Sequence, residues 1–64
     1  MPPARYVMNL RMREACRLLV ETDKTVAEIA DILSFEDPLY FSRRFSKMMG
    51  TPASDYRRRH AVPR

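Results

Sequence analysis

The side chains with chemistry to offer lie close together: Leu39, Ser42, Arg43, Arg44 and Lys47 fall within one short segment, and Thr25 stands upstream. They are hydrogen-bond donors and contact groups rather than nucleophiles. An arginine fork such as Arg43 can bond a guanine edge through two parallel hydrogen bonds, Ser42 can bond a base or a backbone oxygen, and Leu39 can touch a thymine methyl. Thr25, if it opens a helix, would meet phosphate together with the free amides behind it. Arg44 and Lys47 are phosphate candidates of lower rank. The same charges also suit an ordinary solvated helix face, so their arrangement has to decide.

That arrangement is set by two helix starts. Thr25 and Glu28 can form a capping box, each side chain satisfying a free amide. Val26, Ile29, Ala30 and Leu33 then recur at helical spacing, while Ala27, Glu28 and Asp31 lie elsewhere on the wheel. A helix of about two turns is unstable alone, so its apolar face must pack on something. Ser34-Phe35-Glu36 breaks the pattern, and Asp37-Pro38 supplies a second N-cap with proline where no amide is needed. Phe41, Phe45 and Met48 form the next apolar stripe, with Tyr40 and Met49 beside it and Gly50 at the helix end. Phe35 closes the corner. Leu39, Ser42, Arg43 and Lys47 are left largely off the core, with Arg44 and Ser46 on the flanks. Two such helices make a helix-turn-helix, whose second member can lie in a major groove. Helical hairpins of this size also occur in interaction modules, so the geometry alone leaves both readings open.

The remaining elements flank this hairpin. After the lead-in Met1-Pro2-Pro3, the spacing predicts a long helix from about Ala4 to Glu21. Its apolar residues, Val7, Met8, Leu10, Met12, Ala15, Cys16, Leu18 and Leu19, cover more than half the circumference, whereas a surface helix needs a stripe only somewhat wider than ~100°. The surplus predicts burial on two sides, or else a homodimer or an exposed apolar surface. Arg11 interrupts the arc. Its stem is expected to be buried and its guanidinium to find a carboxylate or helix-end carbonyls. Beyond Gly50, Thr51 or its neighbours can cap a last helix with Pro52 at its first position, running to about Arg59, with Tyr56 packing back on the hairpin. The basic tail from Arg57 to Arg64 either contacts phosphate or hangs in solvent, with solvent expected beyond Arg59. The predicted fold is all-α, a small homeodomain-like helix-turn-helix bundle of about four helices including the long N-terminal one. Its expected parts are residues 1–24, the hairpin 25–49 and the last helix and tail 50–64.

Composition narrows the function classes. A chain of 64 residues is one small domain at most, and a domain this size buries only about 60% of its unfolded surface. At 45% apolar residues it is not a disordered chain. A net charge of +4 suits nucleic acid, and equally an acidic protein or an anionic membrane surface. No apolar run approaches a membrane span and no signal-peptide pattern opens the chain, so a cytoplasmic location is expected. Cys16 and His60 are the only residues of their types, so neither an intrachain disulfide nor a metal cluster is expected. Ser34, Ser42, Ser46 and Ser54 lack triad partners, and one glycine cannot build a phosphate loop. No enzyme, cofactor or small-molecule site is expected.

Read from Pro3, the chain contains P-x-x-Y-V-x-x-L-R-M-x-x-A-x-x-L-L, T-V-A-E-I-A, F-E-D-P-L-Y-F-S-R-R-F and G-T-P-A-S-D-Y-R in order. Together these motifs cover residues 3 to 57 and resemble the second half of the DNA-binding domain of AraC/XylS-type bacterial transcription regulators. The resemblance implies that the long helix is a linker and that a first helix-turn-helix unit, usual in the family, is absent from this segment. It further implies double-stranded DNA as partner, a role in transcription regulation, often as activator, and a position close to RNA polymerase. Many members carry glycine where this chain has Ser34, before the phenylalanine of the turn. Either the serine there is left-handed, at a cost of about 1 kcal/mol, or the turn differs slightly. Pro52 stands two residues after Gly50, where a spacing of three is common, which shifts the expected start of the last helix by a residue. The alternatives to sequence-specific binding are a helical protein-interaction module and a nonspecific nucleic-acid binder.

Overall fold

The computed structural model describes residues 3–60; Met1, Pro2 and the tail 61–64, with the solvent position expected for it, lie outside the described residues. Four helices follow one another: α1 (Ala4–Glu21), α2 (Val26–Ile32), α3 (Pro38–Met49) and α4 (Ala53–His60). Pro3 precedes α1 in an extended conformation, and its carbonyl accepts from the amides of Tyr6 and Val7.

Local chemistry at the helix ends explains the hairpin. The capping box at α2 is complete: the Thr25 hydroxyl accepts from the Glu28 amide at 3.0 Å, and the Thr25 amide donates to the Glu28 carboxylate at 2.8 Å. At the other end Ser34 takes φ 68°, the left-handed one of the two alternatives for this turn. Two amides follow it back into the helix, Ser34 onto the Asp31 carbonyl at 3.0 Å and Phe35 onto Ala30 at 2.9 Å. This is the paired closure of a Schellman motif, and the apolar residue it calls for after the left-handed position is Phe35, which is buried. The turn therefore throws Phe35 into the core. The Asp37 carboxylate then caps α3 by accepting from the Leu39 amide at 2.9 Å, with Pro38 at the first helical position. Gly50 ends α3 at φ 76°; a Cβ there would meet nothing within 4 Å, so the backbone angle alone favours glycine.

One core joins all four helices. Met12, Ala15, Leu18 and Leu19 of α1 meet Ile29 and Ala30 of α2, Leu33 and Phe35 of the turn, Phe41 and Phe45 of α3, and Ala53 of α4. An aromatic row runs through it from Phe35 to Phe41 (5.1 Å between centroids), Phe45 (6.0 Å) and Tyr56 (5.6 Å, edge-on). Tyr56 packs back as expected. The Tyr56 hydroxyl donates to the Cys16 sulfur, and this, with burial adding to it, raises the Tyr56 pKa above the ordinary tyrosine value.

Several expectations need correction. Tyr40, Met48 and Met49 are not core: they are 51%, 37% and 39% exposed, because α1 does not reach far enough round α3 to cover them. Leu10, at 46%, is exposed because it stands on the side of α1 opposite Met12, Ala15, Leu18 and Leu19. Arg11 turns neither to a carboxylate nor to helix-end carbonyls; its guanidinium lies over the Phe35 ring, 5.4 Å from the centroid. The last helix begins at Ala53, one residue after Pro52, whose carbonyl accepts from Tyr56, and it continues to His60, which stacks on Tyr56 at 4.3 Å. Arg57 belongs to the scaffold rather than to the tail. Its Nε donates to the Leu19 carbonyl at 3.0 Å, and its Nη2 donates to the carbonyls of Thr22 (3.4 Å) and Lys24. These are carbonyls of the end of α1 and the turn after it, so a cation from α4 satisfies acceptors that no residue of α1's last turn serves.

Candidate nucleic-acid interface

The candidate surface is the side of α3 that faces away from the core. With Phe41 as reference and ~100° per residue, Leu39 and Arg43 stand about 160° and 200° round the helix, Lys47 about 240° and Ser42 about 100°. Leu39 is 57% exposed, Arg43 and Lys47 are exposed, and Ser42 is half-buried. Among the described residues neither Arg43 nor Lys47 is paired with a carboxylate; the ion pairs are Arg17 with Glu14 and Glu21, and Arg58 with Asp55. Two unneutralised cations and a leucine thus share one arc of a rigidly capped helix. Ser46, half-buried at about 140°, lies on the same arc, closer to it than its expected flank position.

Arg44 is separated from this arc. It stands at about 300°, beside Met48, and shares a shallow cavity with Ala4, Arg5 and Met8 at the start of α1. Its Nε is buried and has no hydrogen-bond partner among the described residues. The structure brings Leu39, Arg43 and Lys47 together and sets Arg44 on the side toward α1.

At Thr25 the geometry is mixed. The amides of Val26 and Ala27 point out of the start of α2, but the Glu28 carboxylate already occupies the Thr25 amide. That hydrogen bond, with the one from the Thr25 side chain, holds the Glu28 carboxyl below the usual carboxylate range. A negative charge is therefore fixed beside any phosphate that approached there. Among the described residues no three histidine, cysteine or acidic side chains are grouped to hold a metal, and no helix is long and apolar enough to cross a membrane.

A helix-turn-helix domain family model matches residues 1–59. The chain belongs to the AraC/XylS-type helix-turn-helix family. It is 40% identical over 57 residues to the MmsAB operon regulatory protein of Pseudomonas aeruginosa, covering 89% of this chain and 19% of that protein. It is 41% identical over 56 residues to an uncharacterised HTH-type transcriptional regulator, YisR, of Bacillus subtilis, covering 88% of this chain and 20% of that one. To the lactose operon transcription activator of Staphylococcus xylosus it is 33% identical over 60 residues, covering 94% and 22%. The chain thus spans about a fifth of the length of these relatives. No solved structure gives a significant match. The chain is a DNA-binding helix-turn-helix domain of the kind found in transcription regulators, a family that is not one of enzymes.

Proposed function

We propose that α3 enters the major groove of double-stranded DNA and reads sequence there, as part of a bacterial transcription regulator working in the cytoplasm. The observation that carries this reading is the outward arc of α3, where Leu39, Arg43 and Lys47 stand exposed and the two cations lack carboxylate partners among the described residues. Arg43 reads a guanine edge, Leu39 meets a thymine methyl, and Ser42 bonds a base or a backbone oxygen. Lys47 meets phosphate. Thr25 and the amides behind it meet phosphate more weakly, because Glu28 competes there. Arg44 is withdrawn from the phosphate contacts, since it turns toward α1. In the longer protein this unit lies near the promoter, close to RNA polymerase, and the segment itself binds no small molecule.

Selection from a random duplex pool tests this, followed by binding of the enriched and a scrambled site across a salt series. The expected result is a short enriched motif whose preference survives while salt weakens both complexes. Salt-sensitive binding without preference would replace sequence reading by nonspecific binding, and no binding at low salt would refute the proposal.

A further inference from the structure

Along the boundary between the N-terminal half of α1 and the side of α3 that holds Arg44 runs a groove that DNA reading does not use. Three shallow cavities make it continuous: Met48 lines the first and third, and Met8 and Tyr40 line the second and third. Met12 and Met49 extend its floor at the far end. Its walls are apolar, with Tyr40, Met48 and Met49 all substantially exposed. Its rim is cationic. Arg5, Arg13 and Arg44 line it without an ion-pair partner among the described residues. Glu36 and Asp37 are the carboxylates on the lining, both at the end near Phe35, and Asp37 is engaged as the cap of α3.

This combination does not suit a phosphate backbone, which would gain nothing from thioethers and a tyrosine ring. It suits an amphipathic helix. Unbranched methionines adapt to varied apolar side chains, and an apolar helix face laid into such a groove is anchored at i, i+3 or i+4 and i+7. From Ala4 to Cys16, α1 is about 18 Å long at 1.5 Å per residue, room for some three turns of a partner. The charge fixes the rest of the partner's chemistry: carboxylates flanking its apolar stripe would neutralise the arginines of the rim. We infer that the α1–α3 groove is a protein-docking surface for an acidic amphipathic helix, separate from the DNA-reading face of α3.

The probe is a helical peptide of about four turns with leucines at i, i+3, i+4 and i+7 flanked by glutamates. It is compared with a glutamine-for-glutamate version and a scrambled one by amide chemical-shift mapping on the chain. The expected result is saturable shifts at Met8, Tyr40 and Met48, weakened about tenfold or more by the glutamine version and by Arg44→Glu. Because Arg44→Glu could disturb folding, Arg5→Glu, at the exposed start of α1 where an acid is tolerated, serves as the second variant and should weaken the peptide in the same direction. Both variants should leave the duplex preference intact. The inference is overturned by equal binding of the scrambled peptide, by shifts confined to Arg43 and Lys47, or by no shifts at saturating peptide. It is also overturned if the same residues shift with protein concentration alone, which makes a second copy the occupant. Loss of duplex binding in Arg5→Glu as large as the loss of peptide would assign the face to nucleic acid instead.

Discussion

Arg43 and Arg44 are neighbours in the chain with identical side chains, and the fold gives them different surroundings. Arg43 stands on the outward arc with Leu39 and Lys47; Arg44 is half-buried against the start of α1 with an unmatched Nε. One residue of helix turns a side chain by about 100°, and here that rotation separates a polar, solvent-facing arc from a methionine-lined groove. The lesson is that a run of basic residues on a recognition helix is not one functional unit. Its members have to be assigned by what lies on each side of the helix.

The comparison breaks altogether if α3 loses its seat. Phe41→Ala or Phe45→Ala removes a fully buried ring, at a cost of about 3–5 kcal/mol against the small stability of such a domain. Both faces should then be lost together, with no cooperative thermal transition at 25 °C and above; a melt within a few degrees of the parent would contradict the core described here. A smaller and more selective effect is expected at the surface. Arg43→Ala should leave the melt in place and reduce discrimination at one base pair by about 1–3 kcal/mol, whereas Arg44→Ala should leave discrimination unchanged, both measured with single-base variants of the selected duplex. Equal losses from the two would erase the distinction between the faces.

Next in size is the turn that sets the angle of α3. Ser34→Gly should raise stability by about 1 kcal/mol by removing the left-handed strain at φ 68°, with duplex preference unaffected. Urea denaturation measures it, and a destabilised Ser34→Gly would show that the serine side chain, not the backbone angle, holds the turn. The smallest effect is at the start of α2. The Glu28 carboxyl titrates below its usual range through its hydrogen bonds with Thr25. Its contribution to stability is therefore present above its unfolded value of about 4.3 and fades as pH falls through the lower folded value. Glu28→Gln should flatten that part of the melting-temperature profile between about pH 5 and pH 3; an unchanged acid limb would place the titration elsewhere.

Much of the fold was legible because its signals are local. Thr25 with Glu28, Asp37 with Pro38 and Gly50 each bond or bend within a few residues, so their sequence spacing carries the structure. Ser34 was half legible: the glycine usual in its place suggests a left-handed turn, but a serine leaves a different turn open until the backbone angle is seen. Arg57 was not. Its acceptors lie 33 to 38 residues away, and nothing in the spacing of a basic segment says that one arginine closes the end of α1 while Arg58 pairs within its own helix. Met48 and Tyr40 illustrate a different limit. A helical wheel places Met48 on the apolar stripe and Tyr40 beside it, but whether anything covers them depends on how far α1 extends along α3, which is a tertiary fact. The same fact leaves Arg44 beside the start of α1, in a cavity with Ala4, Arg5 and Met8.

The central claim is that the outward arc of α3, and not the groove beside α1, meets DNA. It is tested most directly by titrating the selected duplex into isotope-labelled protein and mapping the amide and side-chain shifts. The account predicts the largest changes at Leu39, Ser42, Arg43 and Lys47, with Met8, Met12 and Met48 nearly still. Changes centred on Tyr40, Arg44 and Met48, with Arg43 unaffected, would contradict it.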